Sequence, residues 1–248
     1  MPTFERIISL FLRARLWLGK KRYPTFLGPS VVRVSKTRLI KGPCQSPELE
    51  GLRYVAQHTS IPVPKVHRTY RVDGCLYIEM EYIPGNTLQA AWIGNTLSPE
   101  EKQAIVQELA AYIDQLRALE PSQKEVVASA ELGPCLDYRV GFDSFGEGVT
   151  RCHTRQYRSC FSHADLCARN VIVRDRKIAA IVDWQFAGWY PEYWEYTKAH
   201  YGLLNMPDWY SEFKDVVTRY DDELDAEHAL WERLNQPGEA LRMALEDG

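Results

Sequence analysis

Short runs of branched residues alternate with helically spaced stretches along the first third of the chain. From residue 31, "VVRVS" and "RLIKG" read as two strands joined by a tight polar link, which predicts a hairpin. "SPELEGLRYVAQH" predicts a helix: serine then proline open it, acids occupy its first turn, and Leu49, Leu52, Val55 and Ala56 share one side. "TSIPVPKV" ends that helix, because its prolines lack donors and push their neighbours into extended backbone. "RTYRV" and "LYIEMEYI" then flank Asp73-Gly74, a two-residue hairpin signal. The predicted order is strand, strand, helix, strand, strand, and "PGN" breaks it.

Beyond that break the spacing becomes helical. In "LSPEEKQAIVQELAAYIDQLRALE", Ser98 and Glu101 predict a capping box with Pro99 in the first turn, and Ile105, Leu109, Tyr112, Ile113 and Leu116 form one face. "SAELGPCLDYRVGFDSFGEGVT" has no sustained period and reads as an ordered loop. "NVIV", a polar "RDRK" and "IAAIVDW" predict a small hairpin ending at an aspartate, and the aromatic-rich remainder is again helical. At the start, "FERIISLFLRARLWLGKKR" places Phe4, Ile7, Ile8, Phe11 and Leu12 on one helical face, surrounded by Arg6, Arg13, Arg15, Lys20, Lys21 and Arg22. That pattern suits a membrane surface or an arginine-rich presequence, but the usual fate of an amphipathic helix is to pack on the body of its fold, and this reading is preferred. No apolar run approaches the roughly 20 residues that span a bilayer.

Composition narrows the classes. The 248 residues are 45% hydrophobic and 25% charged with a net charge of -3, which suits a globular enzyme or binding module and disfavours a polynucleotide partner. Six cysteines without a C-x-x-C pair, and no secretory signal pattern, lead us to expect reduced thiols and a cytoplasmic protein. Cys152, His153, Cys160, His163 and Cys167 lie close in sequence, yet their spacing fits no common zinc pattern.

The concentrated chemistry lies in "HADLCARN". Transfer of a γ-phosphoryl group needs a carboxylate beside the attacking hydroxyl, cations on the phosphate oxygens and a positioned nucleotide. Asp165 lies five residues before Asn170, and Asp183 follows at the end of the predicted hairpin, so a loop and a turn can deliver an amide oxygen and a carboxylate to one mouth. Oxygen donors of this kind suit magnesium.

H-x-D-x-x-x-x-N followed by D-W, with "YIEMEYIPG" upstream and "WYPEYWEY" downstream, resembles the aminoglycoside phosphotransferase family of kinase-fold enzymes, specifically its large fungal branch, over about residues 31–237. The resemblance implies an α+β, bilobal protein-kinase-like fold. Residues 1–84 would form a small antiparallel-sheet nucleotide lobe with a leading amphipathic helix, and residues 85–248 a mainly helical lobe with the catalytic loop and acceptor site. It implies ATP and Mg2+ as cofactors and a small hydroxylated molecule as acceptor. Asp165 becomes the catalytic base or hydroxyl-orienting carboxylate, Asn170 and Asp183 the magnesium ligands, and His163 a brace for the loop. Lys41 would hold the α- and β-phosphates and be held by Glu48, with Lys36 and Glu50 as their competitors. Met80, Glu81, Tyr82 and Ile83 would receive the adenine, with backbone groups of Glu81 and Ile83 pairing to it.

Three departures from the family pattern bear on activity. Ala164 stands where glycine is usual, Gln185 replaces the glutamate of D-W-E, and the 140–160 connection is short on the acceptor side. The link between the first two strands is also poor in glycine, so phosphate donors are expected from residues 35–37. Asp208, Asp221, Asp222, Glu192 and Glu195 either hold a cationic acceptor or form a solvated face. A nucleotide-binding pseudo-kinase or accessory module, and a kinase scaffold turned to plain acid–base chemistry, stay open as alternatives to the enzyme.

Overall fold

The computed structural model describes residues 2–123, 125–135, 156–201 and 206–233. The chain opens with α1 (Pro2–Arg22), then β1 (Val31–Arg33), β2 (Arg38–Cys44), α2 (Ser46–His58), β3 (Val66–Val72) and β4 (Cys75–Glu81). The four strands form one antiparallel sheet in the order β1-β2-β4-β3. The 73–74 hairpin closes with Val72 opposite Cys75, and its two turn residues take φ of 51° and 77°, as this turn requires. β2 runs three residues beyond Lys41, so the lysine lies within the strand rather than at its end.

Alternation along β2 sends successive side chains to opposite faces. Ile40 points outward, where α1 covers it: Leu12, Ile40 and Tyr70 are buried together, flanked by Ile8, Leu16 and Val34. Burial of Leu12 and of Ile40 contributes roughly 1.5–3 kcal/mol each. Gly19 lets the helix end close on β1, since a Cβ there would lie 2.6 Å from the Arg33 carbonyl. The packed ridge of α1 is therefore Ile8, Leu12 and Leu16, while Ile7 and Phe11, expected on the same face, are 62% and 50% exposed.

The second lobe begins with β5 (Asn86–Thr87), α3 (Leu88–Ile93) and α4 (Pro99–Arg117). α4 carries the expected capping box, and it buries Ile105, Val106, Leu109, Ile113 and Leu116. β6 (Ala128–Ser129), β7 (Ser159–Ser162), β8 (Val171–Arg174), β9 (Lys177–Ile181) and β10 (Gly188–Pro191) follow, then α5 (Trp194–Tyr201), α6 (Pro207–Val216) and α7 (Asp221–Arg233). β5-β8-β9 and β6-β10-β7 form two small sheets. Only the β8–β9 hairpin has a counterpart in the sequence reading, because β6, β7 and β10 are two to four residues long and lack a readable period. Much of the segment read as an ordered loop, together with most of the short 140–160 connection, lies outside the described residues. A single apolar core links the lobes, running from Leu52, Val55 and Ile78 to Leu109, Val171 and Trp209.

Candidate functional site

Ile40 faces α1, so Lys41 faces the opposite side of β2, toward α2 and the second lobe. Its Nζ donates to Glu48 Oε2 at 2.5 Å and to Asp183 Oδ1 at 2.6 Å. Glu48 is 1% exposed, on an α2 face that also buries Gly51, Leu52 and Val55. That face is one step from the predicted one, because Ala56 is exposed and the buried carboxylate takes its place. A Cβ at Gly51 would lie 2.9 Å from the Ala187 Cβ, so only glycine lets α2 sit against the turn that follows Asp183. Burial by itself would lower the Lys41 ammonium, but Glu48 and Asp183 outweigh it and the pKa is raised. Lys36 is exposed in the β1–β2 turn, and Glu50 accepts from Ser129 Oγ at 2.6 Å, so neither competitor reaches the site.

The loop after β7 is anchored from beneath. Glu195 Oε2 on α5 accepts from the backbone N–H groups of His163, at 2.5 Å, and Ala164, at 3.3 Å. Its burial pushes the carboxyl up to about 7, although both N–H groups pull the other way. His163 is fully buried: Nδ1 accepts from the Asp165 N–H at 3.2 Å and Nε2 donates to the Val182 carbonyl at 3.0 Å. This pair of partners defines a neutral imidazole with its proton on Nε2, and burial lowers its pKa in agreement. Ala164 adopts φ +60°, the left-handed conformation that glycine would hold without strain, and its methyl is fully buried beside Phe186 and Tyr193.

A one-turn 3₁₀ helix, Ala168–Asn170, leads from the loop into β8. Asn170 Nδ2 donates to the Asp165 carbonyl at 2.8 Å and to its Oδ2 at 2.9 Å, which turns the amide oxygen Oδ1 away from the loop. Arg169 Nη2 bridges both Asp165 carboxylate oxygens at 3.1 and 3.2 Å. The Val182 N–H donates to the Asn170 carbonyl at 2.9 Å, so the 3₁₀ turn and the Asp183 turn are stitched together. Asp183 itself is left-handed, φ 68° and ψ 58°, which aims its carboxylate back at Lys41.

Between the lobes lies a cleft of about 480 Å³ whose wall includes Lys41, Glu48, Glu81, Ile83, Asn170 and Asp183. Asp165 and His163 sit behind that wall, and Arg169 bridges the two regions. The Glu81 N–H is taken by the Lys65 carbonyl. In the β1–β2 turn the Ser35 N–H donates to the Arg38 carbonyl and the Thr37 N–H to Ser35 Oγ, so two of the three expected phosphate donors are spent inside the turn. Among the described residues no group of three or more His, Cys, Asp and Glu side chains forms a metal cluster.

Sequence reasoning missed four contributors. Phe26 and Leu27, in the link between α1 and β1, line the cleft. Arg169 stood unremarked inside the quoted motif. Glu195 is the fourth: its aromatic neighbours Tyr193, Trp194 and Tyr196 in "WYPEYWEY" are the sequence signal of its burial. Most of the other acids considered for a cationic acceptor also have internal partners: Asp208 takes Trp92 and Lys102, Glu192 takes Arg158 and Tyr220, and Asp221 takes Arg219 and Tyr196.

The sequence profile of the phosphotransferase enzyme family (APH) matches residues 31–236. The chain belongs to this family. Solved APH structures share its fold at low identity. The GDP complex of aminoglycoside 2′-phosphotransferase-IIIa superposes with a TM-score of 0.60 at 14% identity, covering 96% of both chains. The gentamicin complex of APH(2″)-IIa gives 0.59 at 14%, covering 85% of this chain and 81% of the other. ADP-bound APH(2″)-Ib gives 0.58 at 15%, covering 92% and 87%. No curated protein matches the chain in sequence. The bilobal architecture, with a small antiparallel sheet set against a mainly helical lobe, is thus the kinase-like fold of the APH phosphotransferases.

Proposed function

We propose that this APH protein is an ATP- and magnesium-dependent phosphotransferase that phosphorylates a hydroxyl group of a small molecule. The observation that carries this reading is the convergence of Lys41, Asn170 and Asp183 on one interlobe cleft, with Asp165 directly behind it. In this reading residues 1–84 form the nucleotide lobe and residues 85–248 the acceptor lobe. The nucleotide lies between β4 and β8, with its base against Met80, Tyr82 and Ile83. The Glu81 N–H is already committed, which leaves Glu81 its carbonyl and Ile83 the backbone donor for the base. GDP- and ADP-bound relatives support a nucleotide in this cleft.

Lys41, held charged by Glu48, ties the α- and β-phosphates. Asp165 orients the acceptor hydroxyl and receives its proton as the oxygen–phosphorus bond forms and the bond to ADP breaks. Arg169 and Asn170 fix the carboxylate's direction, and Glu195 with His163 holds the loop beneath it. The donor set fits magnesium: one carboxylate and one amide oxygen are enough for an ion that keeps several waters and shares the substrate's phosphates. Asn170 and Asp183 would hold that ion, which supplies charge neutralisation at the phosphate oxygens when bound. Gln185 removes a charge nearby without removing a ligand in this assignment. Asp208, Glu192 and Asp221 each carry an intramolecular partner, and the acceptor is defined in this reading by its hydroxyl alone.

The test is ADP release over a panel of hydroxylated metabolites and aminoglycosides. Asp165→Asn should lower kcat by about 10²–10⁴-fold with nucleotide affinity unchanged. Nucleotide binding without acceptor-dependent ADP release would instead identify a binding module.

A further inference from the structure

Five of the eight large apolar side chains exposed among the described residues lie on α1: Ile7, Leu10, Phe11, Trp17 and Leu18, each at least half exposed. At 3.6 residues per turn they form a stripe about 180° from the Ile8–Leu12–Leu16 ridge that packs on the sheet. α1 is therefore apolar on two opposite faces, and the fold uses one of them. The open stripe is about 17 Å long, from eleven steps of 1.5 Å.

Its borders are cationic. Arg6, Arg13 and Lys20 recur every seven residues and so line one edge, Arg22 lies along the other, and Lys21 places its Nζ 3.9 Å from the Trp17 ring. Glu5, the one acid of α1, projects on the packed side by the same count. Arg13 has a loose surface partner in Asp73 at 3.9 Å, with both side chains more than 70% exposed, and such a pair holds little of the arginine's charge. Six cations and one carboxylate on this helix contrast with a chain whose net charge is -3.

We propose that the outward face of α1 docks on an anionic lipid surface, with its apolar stripe in the acyl boundary and its basic borders against the headgroups. Charge complementarity selects this occupant: an apolar stripe with an indole at its border and cations along both edges matches a negatively charged bilayer face. The helix lies on such a surface without spanning it, since no helix among the described residues is long and apolar enough to cross. Docking leaves the packed ridge and the Arg15–Glu79 pair undisturbed, and the cleft-lining link at Phe26 and Leu27 begins only a few residues beyond the docked face.

Trp17 gives a direct readout, because it is 57% exposed while the other six tryptophans are at most 5% exposed. The full chain is mixed with vesicles of phosphatidylcholine alone or with phosphatidylserine, and measured by flotation and tryptophan emission. Expected are flotation and a blue shift with phosphatidylserine vesicles, weakened by added salt, with the shift lost in Trp17→Phe. Leu10→Glu and Leu18→Glu, both at exposed positions, should each weaken vesicle affinity at least about tenfold with unchanged thermal stability. The proposal is overturned by no flotation on either vesicle, by equal binding to neutral vesicles, or by a dimer in solution that Leu10→Glu dissociates. None of these outcomes depends on phosphotransfer.

Discussion

Ala164 and Glu195 show how single residues shape the catalytic loop. Ala164 holds a left-handed backbone that costs an L-residue about 1–2 kcal/mol, while its buried methyl returns roughly 0.8 kcal/mol and a glycine would cost more entropy on folding. These terms nearly cancel, so Ala164→Gly should change stability by less than about 1 kcal/mol in chemical denaturation, and a loss of several would mean that the methyl is a packing element. Glu195 has one oxygen on two backbone N–H groups, while the other, Oε1, is buried without a hydrogen-bond partner. Its folded pKa is raised from 4.5 to about 7, so the folded state binds the proton more tightly than the unfolded chain. The corresponding stability is complete below about pH 4.5 and is lost as pH rises through about 7. Thermal unfolding across that window should fall with pH in the native protein and lose this component in Glu195→Gln. Glu195→Ala should cost about 2–4 kcal/mol, because two buried donors lose their acceptor.

At the scale of elements, α1 is bound to the sheet by charge as well as by apolar packing. Arg15 Nη1 and Nη2 donate to the two Glu79 oxygens at 2.6 and 2.9 Å, and Tyr70 Oη donates to Oε2 at 2.6 Å. Arg38 adds a further donor at 3.1 Å. The Arg15 hydrogen bond, ahead of the Tyr70 and Arg38 bonds, lowers the Glu79 carboxyl to about 2 against the opposing effect of burial. Its stabilisation is present above about pH 4.5 and is lost as pH falls toward 2. Arg15→Ala should cost about 2–3 kcal/mol at neutral pH, less than a fully orphaned buried charge because Arg38 and Tyr70 remain. Urea unfolding of Arg15→Ala, Glu79→Gln and the double variant should show coupling, and additive effects would mean that the pair contributes nothing of its own. The helix and hairpin of the sheet lobe were readable because their periods and turn residues are local. β6, β7 and β10 were not, because strands this short owe their existence to neighbours brought up by the rest of the fold.

For the whole molecule, the consequence is a lysine shared between a helix of one lobe and a turn of the other. Lys41, Glu48 and Asp183 close a salt bridge across the cleft, so a ligand between the lobes meets a charged wall already assembled. ADP with magnesium at about a hundred times its Kd should stabilise the protein by about 2.7 kcal/mol, a rise in Tm of several degrees. Asp183→Ala should remove the magnesium-dependent part of that rise. If ADP alone raised Tm equally, or if Asp183→Ala left the magnesium response intact, the metal assignment would fall.

The residue types and order of the site were legible in the linear chain. Lys41, Glu48, Asp165, Asn170 and Asp183 stand at recognisable positions, because a strand, a helix turn and a hairpin end are local features with local signals. Which lysine and which glutamate meet was decided by folding: α2 approaches the Asp183 turn through Gly51, and that rotation turns Glu48 inward and gives Glu50 to Ser129. The same holds for Glu195 beneath the catalytic loop and for the split faces of α1. Spacing along a helix states which residues share a side, but the side that is buried is chosen by what the rest of the chain packs against it.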